Sequence, residues 1–274
     1  MSQPLVPLND GTAIPQIGLG TYQAPADEAA AMVETALGLG YRHVDTAMIY
    51  RNEAGVGEGL RASGLPRDQV YVTTKVWNTD QGYDAARAAC AASLDRLGLD
   101  QVDLYLVHWP VPARDLYVET WRALIRLREE GRVRSIGVSN FNADHLDRII
   151  AETGVVPVVN QIECHPAFQQ VALRAECASR GVAVQAWSPL GQGELLGDPA
   201  LQALAEKHGR SVAQIILRWH LQHDLIAIPK TMRASRMREN FDIFDFALDA
   251  DDLAQIATLD DPAGRMGPDP LVFG

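Results

Sequence analysis

"YRHVDTAMIYRNE" (residues 41–53) begins as a strand and ends as something else. Tyr41, Val44 and Thr46 favour extended backbone, and the "GLG" before them signals a turn. Yet the run closes on a carboxylate, Asp45, and sets a phenol, Tyr50, five residues further on. The same design recurs along the chain. Short β-rich runs end near residues 20, 46, 76, 108, 139, 162, 187 and 228, as "IGLG", "RHVDT", "VYVTTK", "VDLYLVH", "RSIGVSN", "VVNQIEC", "VAVQAWS" and "LIAIP". Helical patterns lie between them at 26–38, 80–97, 116–130, 142–152 and 169–180. Strands alternating with helices are parallel strands joined by crossovers. Eight of them, with no composition break, favour one closed (β/α)8 TIM barrel domain over 1–274 rather than an open sheet. An Asn-Asp-Gly turn inside "LVPLNDGTAIPQIGLG" predicts a β-hairpin before the barrel, and 198–208 and 249–258 read as extra helices.

The 274 residues are 47% hydrophobic, enough for a large core, and the length suits a barrel of this kind. No apolar run reaches the roughly 18 residues of a membrane span, and "MSQPLVPLND" lacks the basic start and apolar centre of a signal peptide. Cys90, Cys164 and Cys177 are odd in number and not spaced as metal ligands, so reduced thiols in a cytoplasmic protein without a metal are expected. A net charge of −11 argues against nucleic acid or anionic membrane as a partner and leaves room for a local basic site. A monomer acting on a small molecule is the expectation.

Position is the informative feature of the polar residues. Asp45, Lys75 and His108 each stand at the carboxyl end of an apolar strand, the second, third and fourth, and Tyr50 follows in the loop after the second. In a parallel barrel those ends share one face, where active sites are built. Each residue has a bland reading as a helix cap, a solvated strand end or a rim aromatic; together they form a set. A phenol titrates near pH 10, at about 10 in its reference state. An adjacent ammonium lowers that value, and a carboxylate keeps the ammonium charged and aimed. Tyr50, Lys75 and Asp45 thus read as a proton donor with its tuning pair, and His108 as a hydrogen-bonding group for a carbonyl oxygen. Such a set protonates oxygen but has no hydride of its own, so a cofactor must supply it.

"IPKTMRASRMREN" (228–240) meets that need. Lys230, Arg233, Arg236 and Arg238 fall within nine residues after the last strand, at the start of a helical segment, a position that suits phosphate. The alternative is a solvated basic helix face. "VSN" (138–140) and "NQIE" (160–163) end strands five and six with groups suited to a carboxamide, and Trp187 ends strand seven with a flat ring suited to stacking on nicotinamide. Here too bland readings stand: Asn140 as a cap for a helix near Ala143, Gln161 on buried backbone, Trp187 in the core. A dinucleotide fold of the Rossmann kind is excluded by its fingerprint. "GQGELLG" (191–197) puts Leu196 at the third glycine position late in the chain, and "GVGEGL" (55–60) lies in a helical pattern. A dinucleotide would have to lie extended across the barrel mouth.

The chain resembles the aldo-keto reductase family through "VDTAMIYRNE", "KVWN" (75–78), "LVHWP" (106–110), "GVSNF" (137–141), "NQIECHP" (160–166), "WSPLG" (187–191) and "IPKTMRASRMREN", in family order over nearly the whole chain. The resemblance implies a (β/α)8 barrel that reduces carbonyls with NADPH. It matches Asp45, Tyr50, Lys75 and His108 to the family's catalytic tetrad, with Tyr50 as general acid. It matches Ser139, Asn140 and Gln161 to carboxamide contacts, Trp187 to the stacking position, and Ser188 and Leu190 to the phosphate bridge. Lys230, Thr231, Arg236, Glu239 and Asn240 match the adenosine end, with Lys230 and Arg236 near the 2′-phosphate. Trp187 in place of Tyr or Phe, Thr231 in place of Ser, Tyr22 where many mammalian members have Trp, and a short loop and tail resemble the bacterial branch that includes 2,5-diketogluconate and methylglyoxal reductases.

Tyr22, Trp77, His108 and Trp109 are expected to wall a substrate pocket, with the tail 265–274 closing one side or else fraying. Two other readings of the chain are weaker. A barrel hydrolase using Asp45 and His108 leaves the 230–238 cations unexplained, and a non-catalytic NADPH-binding subunit does not need the four-residue set.

Overall fold

Alternation inside each strand decides which side chains enter the barrel, and the sixth strand shows it. The structure, a computed structural model that describes residues 3–274, places Val102–Val107 as strand β6. Before it come β1 (Leu5–Pro7), β2 (Ala13–Pro15), β3 (Leu19–Gly20), β4 (His43–Asp45) and β5 (Tyr71–Val76). After it come β7 (Val133–Ser139), β8 (Val159–Glu163), β9 (Ala183–Trp187) and β10 (Ile226–Ala227). In β6, Leu104 and Leu106 join an inner cluster with Leu8, Ile14, Tyr71, Val159 and Ile226, while Tyr105 and Val107 pack outward against the helices. A strand's side chains alternate faces, so the next inward position after Leu106 is His108. By the same count His43 leads to Asp45, and Tyr71 leads through Thr73 to Lys75.

β3 to β10 form one eight-stranded sheet in chain order, each neighbouring pair parallel. The ends also meet. The Gly18 amide donates to the Ala227 carbonyl at 2.9 Å, the Ala227 amide to the Gln16 carbonyl at 2.9 Å, and the Gly20 amide to the Pro229 carbonyl at 3.2 Å. The expected closed barrel is therefore present, and its strands end within one residue of the ends read from the sequence.

The predicted hairpin is β1 and β2, antiparallel with Leu5 opposite Pro15. Asn9 in its turn donates to the carbonyls of Pro157 and Gly181, and Asp10 accepts from the Ser135 hydroxyl. These contacts are at the starts of β7, β8 and β9, so the hairpin covers the barrel end away from the polar strand ends.

Helices α1 (Ala29–Gly38), α2 (Glu53–Ala62), α3 (Tyr83–Leu97), α4 (Tyr117–Glu129), α5 (Ala143–Thr153) and α6 (Val171–Ser179) follow the successive strands. α7 (Pro199–His208) and α8 (Val212–Gln222) lie between β9 and β10, and α9 (Ala234–Phe241) and α10 (Ala250–Ala257) close the chain. α8 is absent from the sequence reading, although Ser211 and Gln214 form a reciprocal capping box at its start. The glycines of "GVGEGL" serve packing. A methyl group on Gly57 would run into the Leu97 carbonyl, and one on Gly59 would lie 2.5 Å from the Ala30 carbonyl oxygen, so α2 sits close to both α1 and α3. Gly57→Ala should lower the unfolding free energy by about 1–3 kcal/mol, as overpacking does. Urea titration followed by circular dichroism reads this as a lower midpoint at unchanged slope, and an unmoved midpoint would remove the packing role.

Candidate active site

Lys75 is fully buried at the end of β5, and its ammonium meets three acceptors. Nζ donates to Asp45 Oδ1 at 2.5 Å, to the Thr46 carbonyl at 2.8 Å and to the Tyr50 hydroxyl at 3.4 Å. Asp45 Oδ2 accepts from Gln161 Nε2 at 2.7 Å and from Gln185 Nε2 at 3.2 Å. A buried ion pair holds only if its remaining hydrogen-bonding positions are also filled, and here both carboxylate oxygens and all three N–H groups are used. Burial disfavours the charge on Lys75, but Asp45 and Tyr50 together outweigh it and the pKa of Lys75 is raised. Gln185 had no role in the sequence reading. It sits on the inward parity of β9, the signal that would have found it.

Tyr50 reaches this pair because its loop is anchored. Met48–Tyr50 form a single 3-10 turn, and Arg51 turns the chain with φ at 58°. Asn52 then donates to the carbonyls of Thr21 at 2.8 Å and Ala24 at 3.2 Å, and accepts from the Thr46 hydroxyl at 3.0 Å. Buried Glu53 accepts from the Thr74 hydroxyl at 2.5 Å and from Arg96 Nε at 2.7 Å. The "RNE" that ends the opening motif is thus the clamp on the loop.

One expectation is corrected. Lys75 was to lower the pKa of Tyr50, and the net shift is upward. Burial of the phenolate raises it most, Lys75 pulls it down, and Asp45 pushes it up again. The ammonium at 3.4 Å still favours the phenolate, but the cost of burying that charge, with the Asp45 carboxylate nearby, is greater. A phenol so placed keeps its proton at neutral pH.

The His108 ring stands edge-on to Tyr50 at 5.8 Å between centroids and to Trp77 at 4.9 Å. Burial, aided by the Lys75 charge, holds the imidazole well below its usual pKa, so it is neutral. Tyr22 lies 5.1 Å from Tyr50 across tilted rings. Trp109 packs at 4.5 Å on Phe273, which is 6.3 Å from Trp77. The tail therefore does return to the aromatic wall, and Phe273 belongs to it although the sequence reading did not single it out.

Asn140 adopts a left-handed conformation, φ 62°, and ties three strand ends together. Its Nδ2 donates to the His108 carbonyl and to Ser139 Oγ, both at 3.0 Å, and its Oδ1 accepts Trp187 Nε1 at 2.8 Å. Ser139 Oγ donates to the Gln161 carbonyl at 2.8 Å. Asn140 does not lead α5; Asn142 does, its amide bonded to His145 Nδ1 at 3.1 Å. Gln161 faces Asp45 rather than backbone, and Trp187 is only half-buried.

A cleft of about 740 Å³ runs on from these strand ends. It gathers Ser188, Leu190, Lys230, Thr231, Arg236, Glu239 and Asn240, together with Tyr22, Gln192, Gly193 and Ser211. The near-miss "GQGELLG" thus borders the cleft, as two 3-10 turns with Gly193 at φ 96°, without any strand-to-helix glycine loop. Lys230, Arg233, Arg236 and Arg238 make no salt bridge among the described residues. A larger groove of about 860 Å³ lies between the hairpin and α6, lined by Val6, Val171, Arg174 and His223, and shares none of the convergent strand-end groups.

The model of the aldo/keto reductase family matches residues 16–261. The chain is 55% identical to an aldo-keto reductase of Mycobacterium sp. (strain JLS), over 100% of this chain and 99% of that one. It is 48% identical to methylglyoxal reductase DkgA of Escherichia coli (strain K12), over 98% of each. A crystal structure of a Gox0644 mutant in complex with NADPH is 49% identical over 100% of both chains, with a TM-score of 0.97.

Because burial holds His108 neutral, its ring should stay unprotonated at pH 5.5, where a histidine of ordinary pKa, about 6.5, is mostly charged. Nitrogen chemical shifts of selectively labelled histidine, assigned with His108→Gln, report this directly. Titration of His108 near pH 6.5 would contradict the geometry.

Proposed function

The chain belongs to the aldo/keto reductase family and is an NADP(H)-dependent oxidoreductase, and we propose that it reduces small aldehydes, ketones, α-dicarbonyls and keto-sugars to alcohols with Tyr50 as proton donor. The observation that carries this reading is the contact of one buried ammonium, Lys75, with both Asp45 and Tyr50, beside neutral His108. The methylglyoxal reductases among its relatives make α-oxoaldehydes the first substrates to try.

The residues fit the cofactor. The 740 Å³ cleft is lined by cations, hydroxyls and carboxamides beside the ends of β9 and β10, and its Lys230 and Arg236 make no salt bridge among the described residues. Lys230, Thr231, Arg236, Glu239 and Asn240 would hold the adenosine end, and Ser188 and Leu190 the phosphate bridge. Ser139, Asn140 and Gln161 would hold the carboxamide, and the Trp187 ring, fixed through Nε1 by Asn140, offers the stacking face. Bound there, the cofactor supplies hydride to the carbonyl carbon.

The rest belongs to the chain's own side chains. Neutral His108 can hydrogen-bond the carbonyl oxygen and fix its direction. Tyr50 gives that oxygen its proton. Lys75 then faces a phenolate, and the charge it carries becomes more favourable as the proton leaves. Asp45, held by two carboxamides, keeps Lys75 charged and in place. Trp77, Trp109 and Phe273 exclude water from one side.

Tyr50→Phe should lower kcat by roughly 10²–10⁴-fold, the usual cost of losing a general acid. The Kd for NADPH, from fluorescence titration, should change by less than about twofold, because the phenol faces the substrate side. Near-normal turnover would remove Tyr50 as the donor.

Preference between the two nicotinamide cofactors rests on the 2′-phosphate, the only group by which they differ. Arg236 offers it a planar fork and Lys230 a point charge. A charge-assisted hydrogen bond contributes about 1.5–3 kcal/mol, or roughly 10–100-fold in affinity. Arg236→Ala should weaken NADPH by that order and leave NADH nearly unchanged, with the remaining preference shrinking as salt rises. Equal losses for the two cofactors would assign Arg236 to the fold or the adenine instead.

A further inference from the structure

One charged inner residue has no part in the site above. Glu163 ends β8 two positions beyond Gln161, on the same inward parity, and its side chain is fully buried. Oε1 accepts the Met266 amide at 2.6 Å and lies 3.2 Å from His165 Nε2; Oε2 accepts the Gly267 amide at 3.0 Å. Burial works to raise its pKa, but these hydrogen bonds keep the carboxyl below its usual range. The carboxylate is therefore a charged anchor for two successive amides of the C-terminal tail.

Other holds on the tail are packing contacts, with Arg265 over the Phe168 ring at 4.8 Å and Pro270 buried, while its hydrogen bonds to the barrel among the described residues are the two to Glu163. Past Gly267 the amides of Leu271, Val272 and Phe273 bond locally to Asp269, and Leu271 and Val272 are exposed. Gly267 itself lies against the Trp187 ring, where a Cβ would collide with the ring edge. Six residues later Phe273 packs on Trp109 and Trp77. The segment is hydrogen-bonded to the barrel at its start by Glu163, passes through buried Pro270 and ends in the aromatic wall beside His108.

Resting on the carbonyl-reductase reading, we propose that Glu163 is a positioning residue for substrate choice, which fixes Met266 and Gly267 against Trp187 and so places Phe273 in the wall of the pocket. Glu163→Gln keeps the volume but turns an N–H₂ toward amides that need an acceptor. Substrates large enough to reach Phe273 feel the change, and the smallest do not.

Methylglyoxal and phenylglyoxal, which differ by a methyl against a phenyl group, are the matched probes. In Glu163→Gln the ratio of KM for phenylglyoxal to that for methylglyoxal should rise by about 10-fold, the weight of one charge-assisted hydrogen bond. The kcat for methylglyoxal should stay within about twofold, since Tyr50 and His108 are untouched. In a Phe273→Ala background the same substitution should add nothing to the ratio, because the residue it acts through is gone. An unchanged ratio, or an equal shift in both backgrounds, overturns the proposal.

Amide hydrogen exchange tests the anchor without any turnover. Exchange in 264–273 should quicken by about 10-fold or more in Glu163→Gln, and unaltered protection overturns the anchor. If the wild-type chain reduces neither dicarbonyl while exchange responds as stated, the carbonyl-reductase reading fails and the anchor stands. Gly267→Ala, whose added methyl would collide with the Trp187 ring edge and crowd Glu163 Oε2 at 3.1 Å, displaces the same segment by bulk while leaving the carboxylate itself in the chain, and should give the same rise in the ratio. It carries the test if Glu163→Gln does not fold, and a normal ratio there counts against the proposal.

Discussion

The ion pair of Lys75 and Asp45 is the constraint around which the mouth of the barrel is arranged. Two charges taken fully out of water cost several kcal/mol each unless every hydrogen-bonding position is met. An ammonium has three donors and no acceptor, and Lys75 places them on Asp45, the Thr46 carbonyl and Tyr50. This fixes more than a charge. Because the Tyr50 oxygen accepts from Lys75, its own single proton must point elsewhere. On the proposed reading, satisfying a buried cation therefore constrains the direction in which Tyr50 would give up its proton. Asp45 in turn requires two carboxamides from β8 and β9, which explains why those strands carry Gln161 and Gln185 where apolar residues would pack more cheaply.

The two ends of the barrel divide the labour of stability and chemistry, and strand alternation makes the division. At the hairpin end the inward positions are Leu104, Leu106, Val159 and Ile226, closed over by Leu8 and Ile14. One or two inward steps later the same strands present His108, Gln161 and Glu163. An apolar floor under a polar layer keeps water from reaching the ion pair from below, and the low dielectric strengthens each contact above it. The same floor fixes the register, because a slip by one residue would exchange every inward side chain for an outward one.

This logic also marks what the sequence could and could not disclose. Strand ends and their polar caps were legible, because periodicity and position are local properties. So were Asp45, Lys75, His108 and Tyr50, since a common topology places their strand ends on one face. Gln185 and Glu163 obey the same parity and were legible in principle, but their partners lie 140 and about 103 residues away, and no local pattern names a partner. The sign of the Tyr50 shift was misread because charge proximity can be guessed from sequence, while desolvation depends on the packing of the folded site. α8 was missed although its signals are local, since Ser211 and Gln214 cap its start and its apolar residues recur on a helical period.

The cleft proposed for the cofactor poses a different electrostatic problem, because a chain of net charge −11 must accept an anionic dinucleotide. Half of the arginines elsewhere answer acidic neighbours among the described residues: Arg87, Arg122, Arg126, Arg148, Arg180 and Arg210, for example, each make an ion pair with at least one carboxylate. Lys230, Arg233, Arg236 and Arg238 make none among the described residues, though Glu239 lines the same cleft as Lys230 and Arg236. At physiological salt, charges more than about 8 Å away are largely screened, so a bound phosphate senses its near neighbours and little of the acidic surface beyond. The net charge then bears on solubility and on repelling polyanions, while affinity for a phosphate depends on which cations are left without a carboxylate at one edge of the barrel mouth. The local pairing pattern, more than the sum of charges, decides what this surface can hold.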